Sequence, residues 1–233
     1  MNSAHSRRSF VRTALCFGSI VVSRGAALGA PQPLPKVLII GDSISGGYFP
    51  TVVERLRGKA ELLRAADTVA AEEKAGSEGT TKGVRYVDKW IGTTKWTVIY
   101  FNFGLHDIKH VNPKTGENSR NPLDPVQADL KQYQKNLTEI VGKLRTTGAK
   151  LIFATTTPYP ATATKPMRSP GRSEKYNAVA LEIMKANSVA IDDLYSLVLP
   201  RMAELQRPDN VHFTDAGYAV LGEAVAGKIL AVL

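Results

Sequence analysis

The sequence predicts an α/β domain: a parallel sheet with helices on both faces. Three observations predict it. Short apolar runs recur along the chain, with helix-like segments between them. The longest of those segments carries an apolar period near 3.6. Capping and turn residues stand where one kind of element gives way to the next. Regular alternation of this kind favours parallel strands joined by right-handed crossovers, with helices covering both faces of the sheet.

Five runs read as strands: residues 37–40, 61–64, 97–103, 150–155 and 189–192. The first, Val37-Leu38-Ile39-Ile40, is uniformly apolar and stops at Gly41, as a buried strand ending in a turn does. Five segments read as helices: 49–57, 83–90, 125–147, 174–187 and 215–232. In the third, Leu130, Tyr133, Leu137, Ile140, Val141 and Leu144 share one face, and Gly148 follows as a C-terminal stop. In the last, Thr214 is the expected N-cap, and Tyr218, Leu221, Val225 and Ile229 form the apolar stripe. No internal repeat or long linker divides residues 36–233, so one domain is expected there.

Before it, residues 1–29 read as a removable export signal and 30–35 as a proline-rich lead. The signal has Arg7-Arg8, an apolar stretch over 13–22 and small residues at Ala27-Leu28-Gly29. That stretch falls short of the roughly 20 residues a spanning helix needs. Twin-arginine signals carry folded cargo, so the expected location is periplasmic or extracellular. The only cysteine, Cys16, lies inside this segment, which leaves the domain without disulfides. The full chain carries a net charge of +9. Removing the signal takes away four arginines and no acid, leaving 26 Lys and Arg against 21 acids, net about +5. A mild basic excess suits an anionic glycan or surface, although basic residues are commonly a solvated face. No arginine-rich or aromatic-basic tract points to nucleic acid.

The chemistry-bearing residues lie at the two ends of the domain. Ser43, in Gly41-Asp42-Ser43, follows the first strand, at the sheet edge where open α/β folds place their sites. Pro208-Asp209-Asn210-Val211-His212 stands just before the last helix. A serine hydroxyl needs an adjacent base, and a histidine base needs an acceptor on its other nitrogen. Asp209, three residues before His212, is placed to be that acceptor within one tight loop.

On these residues the chain resembles the SGNH hydrolases, also called GDSL esterases and lipases. The resemblance runs from about residue 36 to the carboxyl end. Its first block is Gly41-Asp42-Ser43. Its last is Asp209-x-x-His212, followed by Phe213-Thr214-Asp215-Ala216-Gly217-Tyr218. Its third, Gly-x-Asn-Asp, stands here as Gly104-Leu105-His106-Asp107 after the apolar Val98-Ile99-Tyr100-Phe101. The second-block glycine is matched to Gly79, with Gly76 and Gly83 as competitors. The resemblance implies a three-layer, flavodoxin-like fold with a five-stranded parallel sheet, and ester hydrolysis through a serine acyl-enzyme. It assigns Ser43 as nucleophile, His212 as base and then acid, and Asp209 as orienting carboxylate. It implies an oxyanion hole from the Ser43 and Gly79 N–H groups and a side chain at position 106. It implies no cofactor and no metal.

His106 departs from the family's asparagine. A neutral imidazole has one N–H, so its tautomer decides whether it donates. An oxyanion donor, a histidine packed under the loop and a metal ligand are the readings, the last opposed by the absence of a well-spaced second ligand. Trp90, Trp96, Tyr100, Phe101 and Phe103 are expected in the core, Asp107 as a loop-fixing acceptor, Asp42 as a turn residue and Asp192-Asp193 as a helix cap. Loops 112–123 and 158–172 should share the edge of Ser43 and face substrate.

The function expected is an exported ester hydrolase, with carbohydrate O-acetyl groups as the first substrate class. A lysophospholipase or thioesterase of the same family, or a non-catalytic glycan-binding module on this fold, are the alternatives. The expected partner is a small-molecule or glycan ester, without nucleic acid or a stable membrane anchor.

Overall fold

A computed structural model describes Met1 and residues 33–68 and 78–233. Apart from Met1, the expected export signal with Cys16 lies outside the described residues, as do Pro31 and Gly76. Residues Leu34–Leu233 fold as one unit, which holds every element of the sheet and its helices.

Five parallel strands form one sheet in the order β2-β1-β3-β4-β5. They are β1 Lys36–Ile40, β2 Glu61–Arg64, β3 Val98–Phe101, β4 Lys150–Ala154 and β5 Ala190–Asp192. The principal helices are α1 Ser43–Leu56, α2 Thr80–Ile91, α3 Leu130–Arg145, α4 Arg172–Ala186 and α7 Asp215–Leu230. Two short helices, α5 Leu194–Val198 and α6 Met202–Leu205, lie between β5 and α7. This is the flavodoxin-like order, and its topological switch point falls between β1 and β3. The turn leaving β1 leads directly into Ser43 at the start of α1, and the loop leaving β3 carries His106.

Val37, Leu38, Ile39 and Ile40 are at most 1 % exposed, as are all four residues of β3. A strand buried on both faces has no alternating pattern, which is why these runs read as continuous apolar segments. Alternate residues of β3 serve opposite faces. Tyr100 meets the edge of Tyr48 from α1 at 6.5 Å between ring centroids, and its hydroxyl donates to Asp192 Oδ2 at 2.7 Å. Phe101 packs instead on Phe153 of β4. On one face α1 packs on α7; on the other α2, α3 and α4 pack in a row. The α1–α7 contact is close because Gly47 has no side chain: a Cβ there would stand 2.1 Å from the Tyr218 ring.

Three helix starts lie three or more residues from the sequence expectation. Helix α1 begins at Ser43, because Asp42 caps it by accepting from Ile44 N at 2.9 Å. Gly46, Gly47 and Pro50 are poor helix formers and hide that start in the sequence. Residues 125–129 belong to a loop, and Asp129 caps α3 by accepting from Gln132 N. Helix α2 starts at Thr80, directly after Gly79 with φ +89°. The remaining caps stand where expected: Thr214 accepts from Gly217 N, and Asp193 from Ser196 N.

Candidate active site

Ser43 is the first residue of α1, exposed at the carboxyl edge of the sheet. Its neighbours hold it still: Asp42 is buried and capping, and Ser45 Oγ donates to Asp42 O at 2.7 Å. The hydroxyl therefore sits at a helix N-terminus, where the helix dipole favours developing negative charge.

Ser43 Oγ lies 2.9 Å from His212 Nε2, across 169 residues of sequence. The loop carrying His212 is braced from both sides. Gln206 and Phe213 pair as an antiparallel bridge, and Arg207 N donates to His212 O at 2.9 Å. Gln206 Nε2 donates to Pro158 O and Arg207 Nε to Phe213 O. Partial burial holds the His212 pKa below the ordinary histidine value, against the opposing pull of Asp42. At neutral pH the ring is thus uncharged and able to take a proton.

The acceptor on the far nitrogen is not Asp209. Asn210 Oδ1 lies 2.7 Å from His212 Nδ1 and also accepts from His212 N at 3.0 Å. The backbone donor fixes the oxygen, not the amide nitrogen, toward the ring. Asp209 takes a left-handed conformation (φ 53°), is exposed, and makes no hydrogen bond or ion pair with a described residue. The reason is local. The left-handed turn at Asp209 and the Asx turn closed by Asn210 bring the nearer amide, two residues before His212, under the ring. The Asp-x-x-His spacing hid this residue; the signal that carries it is Asn-x-His after a Pro-Asp turn.

His106 stands across the cleft on the loop after β3. Burial pushes its pKa down, and nearby Lys109 and Arg168 push the same way against Asp42 and Glu78. The ring is neutral at pH 7 and has one proton to place. Nδ1 is sealed from solvent and has no partner among the described residues. A buried N–H without an acceptor is rarer and costlier than a buried lone pair. The proton therefore belongs on Nε2, the nitrogen that is not sealed.

Gly79 abuts this loop. Its positive φ suits glycine alone, and a Cβ would meet Gln127 Nε2 at 2.5 Å, Asp107 Oδ1 at 3.2 Å and His106 Cβ at 3.2 Å. Asp107 ties the two segments by accepting from Thr80 N at 2.8 Å and Thr80 Oγ1 at 2.6 Å. Its other oxygen is buried without a partner, and burial raises its pKa to about 7. Gly83, the competing match, is inside α2 against Ile140 and Phe103. His110 braces a loop, with Nδ1 2.6 Å from Asp124 O. Among the described residues no cluster of three His, Cys, Asp or Glu side chains is placed to hold a metal.

The two loops expected at this edge interlock. His110 N donates to Met167 O at 2.9 Å and Met167 N to Ser119 O at 2.8 Å. Arg168 Nε donates to Leu105 O at 2.9 Å, beside His106. Between the loops and the Ser43–His212 pair lies a cleft of about 210 Å³, lined also by Lys109, Asn118, Lys165 and Arg168. A hollow lined by Ile44, Tyr48, Leu105 and Leu194 together with Asn102, Thr155 and Thr157 holds only about 10 Å³, room for one water.

The model of the GDSL-like lipase/acylhydrolase family matches residues 39–220. Solved structures share the fold. A lipase/acylhydrolase from Enterococcus faecalis superposes with a TM-score of 0.66 at 19% identity, over 85% of this chain and 96% of that one. The acetyl xylan esterase AlAXEase gives 0.63 at 17% identity, over 83% and 99%. A catalytic mutant of Axe2, an acetylxylan esterase from Geobacillus stearothermophilus, gives 0.63 at 18%, over 84% and 94%. No curated protein sequence matches the chain.

Proposed function

Because the chain belongs to the GDSL-like lipase/acylhydrolase family, we propose that it is an exported serine ester hydrolase that removes short acyl groups, carbohydrate O-acetyl groups first among them. One observation carries the reading: Ser43 Oγ is 2.9 Å from His212 Nε2, and both line a small polar cleft. In the first step His212 Nε2 takes the Ser43 proton as Oγ attacks the ester carbonyl. The acyl-enzyme forms as the alcohol leaves with that proton. Water then attacks the acyl carbon as His212 takes its proton, the Oγ–acyl bond breaks with that proton passing to Ser43 Oγ, and the carboxylic acid is released. Asn210 holds the Nδ1–H tautomer that this cycle requires. The N–H groups of Ser43 and Gly79 and the Nε2–H of His106 are assigned to the developing oxyanion. Such donors are worth about 2.7–4 kcal/mol each in other hydrolases.

The short-chain preference is supported by the dimensions of the site. A long acyl chain needs a continuous apolar trough, and the hollow lined by Ile44, Leu105 and Leu194 accommodates about one water. The glycan preference is supported by the polar loops and by the acetyl xylan esterases among the structural neighbours. Export rests on Arg7-Arg8 and the short apolar run that follows them in the sequence.

A fluorophosphonate probe should label the folded protein and fail on Ser43→Ala, whose turnover should fall on the order of 10⁵–10⁶-fold. Folded protein that resists the probe yet binds glycan would instead be a binding module. Faster turnover of long-chain than acetyl esters would overturn the short-acyl reading. Amino-terminal sequencing of exported protein should begin near residue 30; an intact Met1 on protein retained in the cytoplasm would overturn export.

A further inference from the structure

The cleft beside Ser43 is lined by cations that form no ion pair with a described residue, and by the buried carboxylate of Asp42. Lys109 is 8 % exposed and Arg168 4 %, and both line it together with the exposed Lys165. Elsewhere, lysines and arginines with ion pairs sit on the surface, as Lys82–Glu78 and Arg55–Glu223 do. No carboxylate among the described residues lies within ion-pair distance of Lys109, Lys165 or Arg168. The acids nearest the cleft are committed: Asp42 caps α1, and Glu78 pairs with Lys82. The Lys109 ammonium makes no hydrogen bond to a described residue, and Arg168 is held through carbonyl oxygens, at Leu105 and at Pro166.

A buried cation without a counter-charge is costly, and such groups are ordinarily paired. The cost falls unevenly here. Burial lowers the pKa of both Lys109 and Arg168. Glu78 eases the charge on Lys109, and Tyr159 and Asp42 ease that on Arg168, without reversing the effect of burial; Arg168 opposes charge on Lys109, and both cations oppose it on His106. Two like charges brought near one another at a site that also admits substrate are a receptor for an anion, and an arriving anion relieves both. We propose that the ester hydrolysed at Ser43 carries an anionic substituent, a carboxylate or a sulfate, which Lys109, Lys165 and Arg168 receive. The inference rests on the hydrolase reading and narrows it to acetyl esters of acidic sugars. A carboxylate or sulfate is matched by the charge-assisted hydrogen bonds of ammonium and guanidinium groups. The wall is built from both interlocked loops, Lys109 from the loop after β3 and Lys165 and Arg168 from the loop after β4.

The test compares acetylated methyl glucuronoside, acetylated methyl glucoside and acetylated methyl glucoside 6-sulfate by acetate release. The protein should favour one or both anionic esters over the neutral one by about tenfold or more in kcat/KM at low salt, and the preference should shrink as salt rises. The carboxylate and sulfate arms separate the two anions. Lys109→Gln and Lys165→Gln, singly and together, should lower the anionic-to-neutral ratio stepwise. Arg168→Gln is set aside as the primary variant because its side chain braces Leu105; Lys165, exposed, serves with Lys109. Equal turnover of all three esters, or a ratio that the lysine variants leave unchanged, would overturn the proposal. Failure of every ester, together with failure of the fluorophosphonate probe, would overturn the hydrolase reading instead.

Discussion

His212 and His106 face one cleft, and the protein prepares them in opposite ways. His212 is half-buried and has a partner on each nitrogen, Ser43 Oγ and Asn210 Oδ1. Its tautomer is set by hydrogen bonding. The His106 ring, also half-buried, makes no hydrogen bond to a described residue, and its Nδ1 is sealed. Its tautomer is set by the cost of burying an N–H that nothing accepts. The lesson is that a neutral imidazole can be made a base or a donor without changing the residue. A partner on Nδ1 frees Nε2 to receive a proton, and a sealed, empty Nδ1 leaves Nε2 to give one.

The sharpest way to break this comparison is at His106. His106→Ala should lower kcat by about 10²–10³-fold with little change in KM, as loss of a contact made in the transition state does. His106→Asn should recover part of the loss, because its amide supplies a donor. A kcat within about twofold of wild type for folded His106→Ala would make the residue a packing group and end the contrast.

The next effect tests the other histidine. Asn210→Ala should lower kcat by about 10²-fold, the lower end of what general acid–base catalysis contributes. Asp209→Ala should stay within about threefold, since Asp209 faces solvent. The reverse order would mean that the carboxylate replaces the amide on Nδ1 in the working enzyme.

The third prediction concerns pH. Burial lowers the His212 pKa, so the ring stays neutral further into acid than an exposed histidine. The acid limb of kcat/KM should therefore fall below the ordinary histidine value near 6.5. A limb above that value would assign the essential base to another group.

The smallest effect is on stability. Folding raises the Asp107 pKa to about 7, so the native state binds more protons than the unfolded chain between that value and the ordinary carboxylate range. The Asp107 contribution to stability should decline as pH rises from about 4 to 7, against the opposite contribution of His106 and His212, whose pKa values folding lowers, and Asp107→Asn should remove it. A melting temperature with the same slope across the window in wild type and variant would contradict the assignment.

The sheet was legible because its strands are buried on both faces: an apolar run such as 37–40 needs no tertiary information to be read. Ser43 and His212 were legible for a related reason, since each adjoins a strand end or a helix cap that local sequence marks. Asn210 was not, because the choice between it and Asp209 turns on one left-handed residue and one Asx turn, which spacing does not encode. The cationic wall was not legible either. Lys109, Lys165 and Arg168 are scattered among many basic residues, and only the meeting of two distant loops distinguishes them from a solvated face.

That meeting has a consequence for how such a site can diversify. The backbone hydrogen bonds from His110 to Met167 and from Met167 to Ser119 join the two loops edge to edge, so neither keeps its shape if the other is exchanged alone. The pair behaves as a single removable cassette on a scaffold that holds nucleophile and base elsewhere. Recombination that transplants both segments together should hand a new charge pattern to the same reaction centre, whereas swapping one should leave a frayed seam beside it.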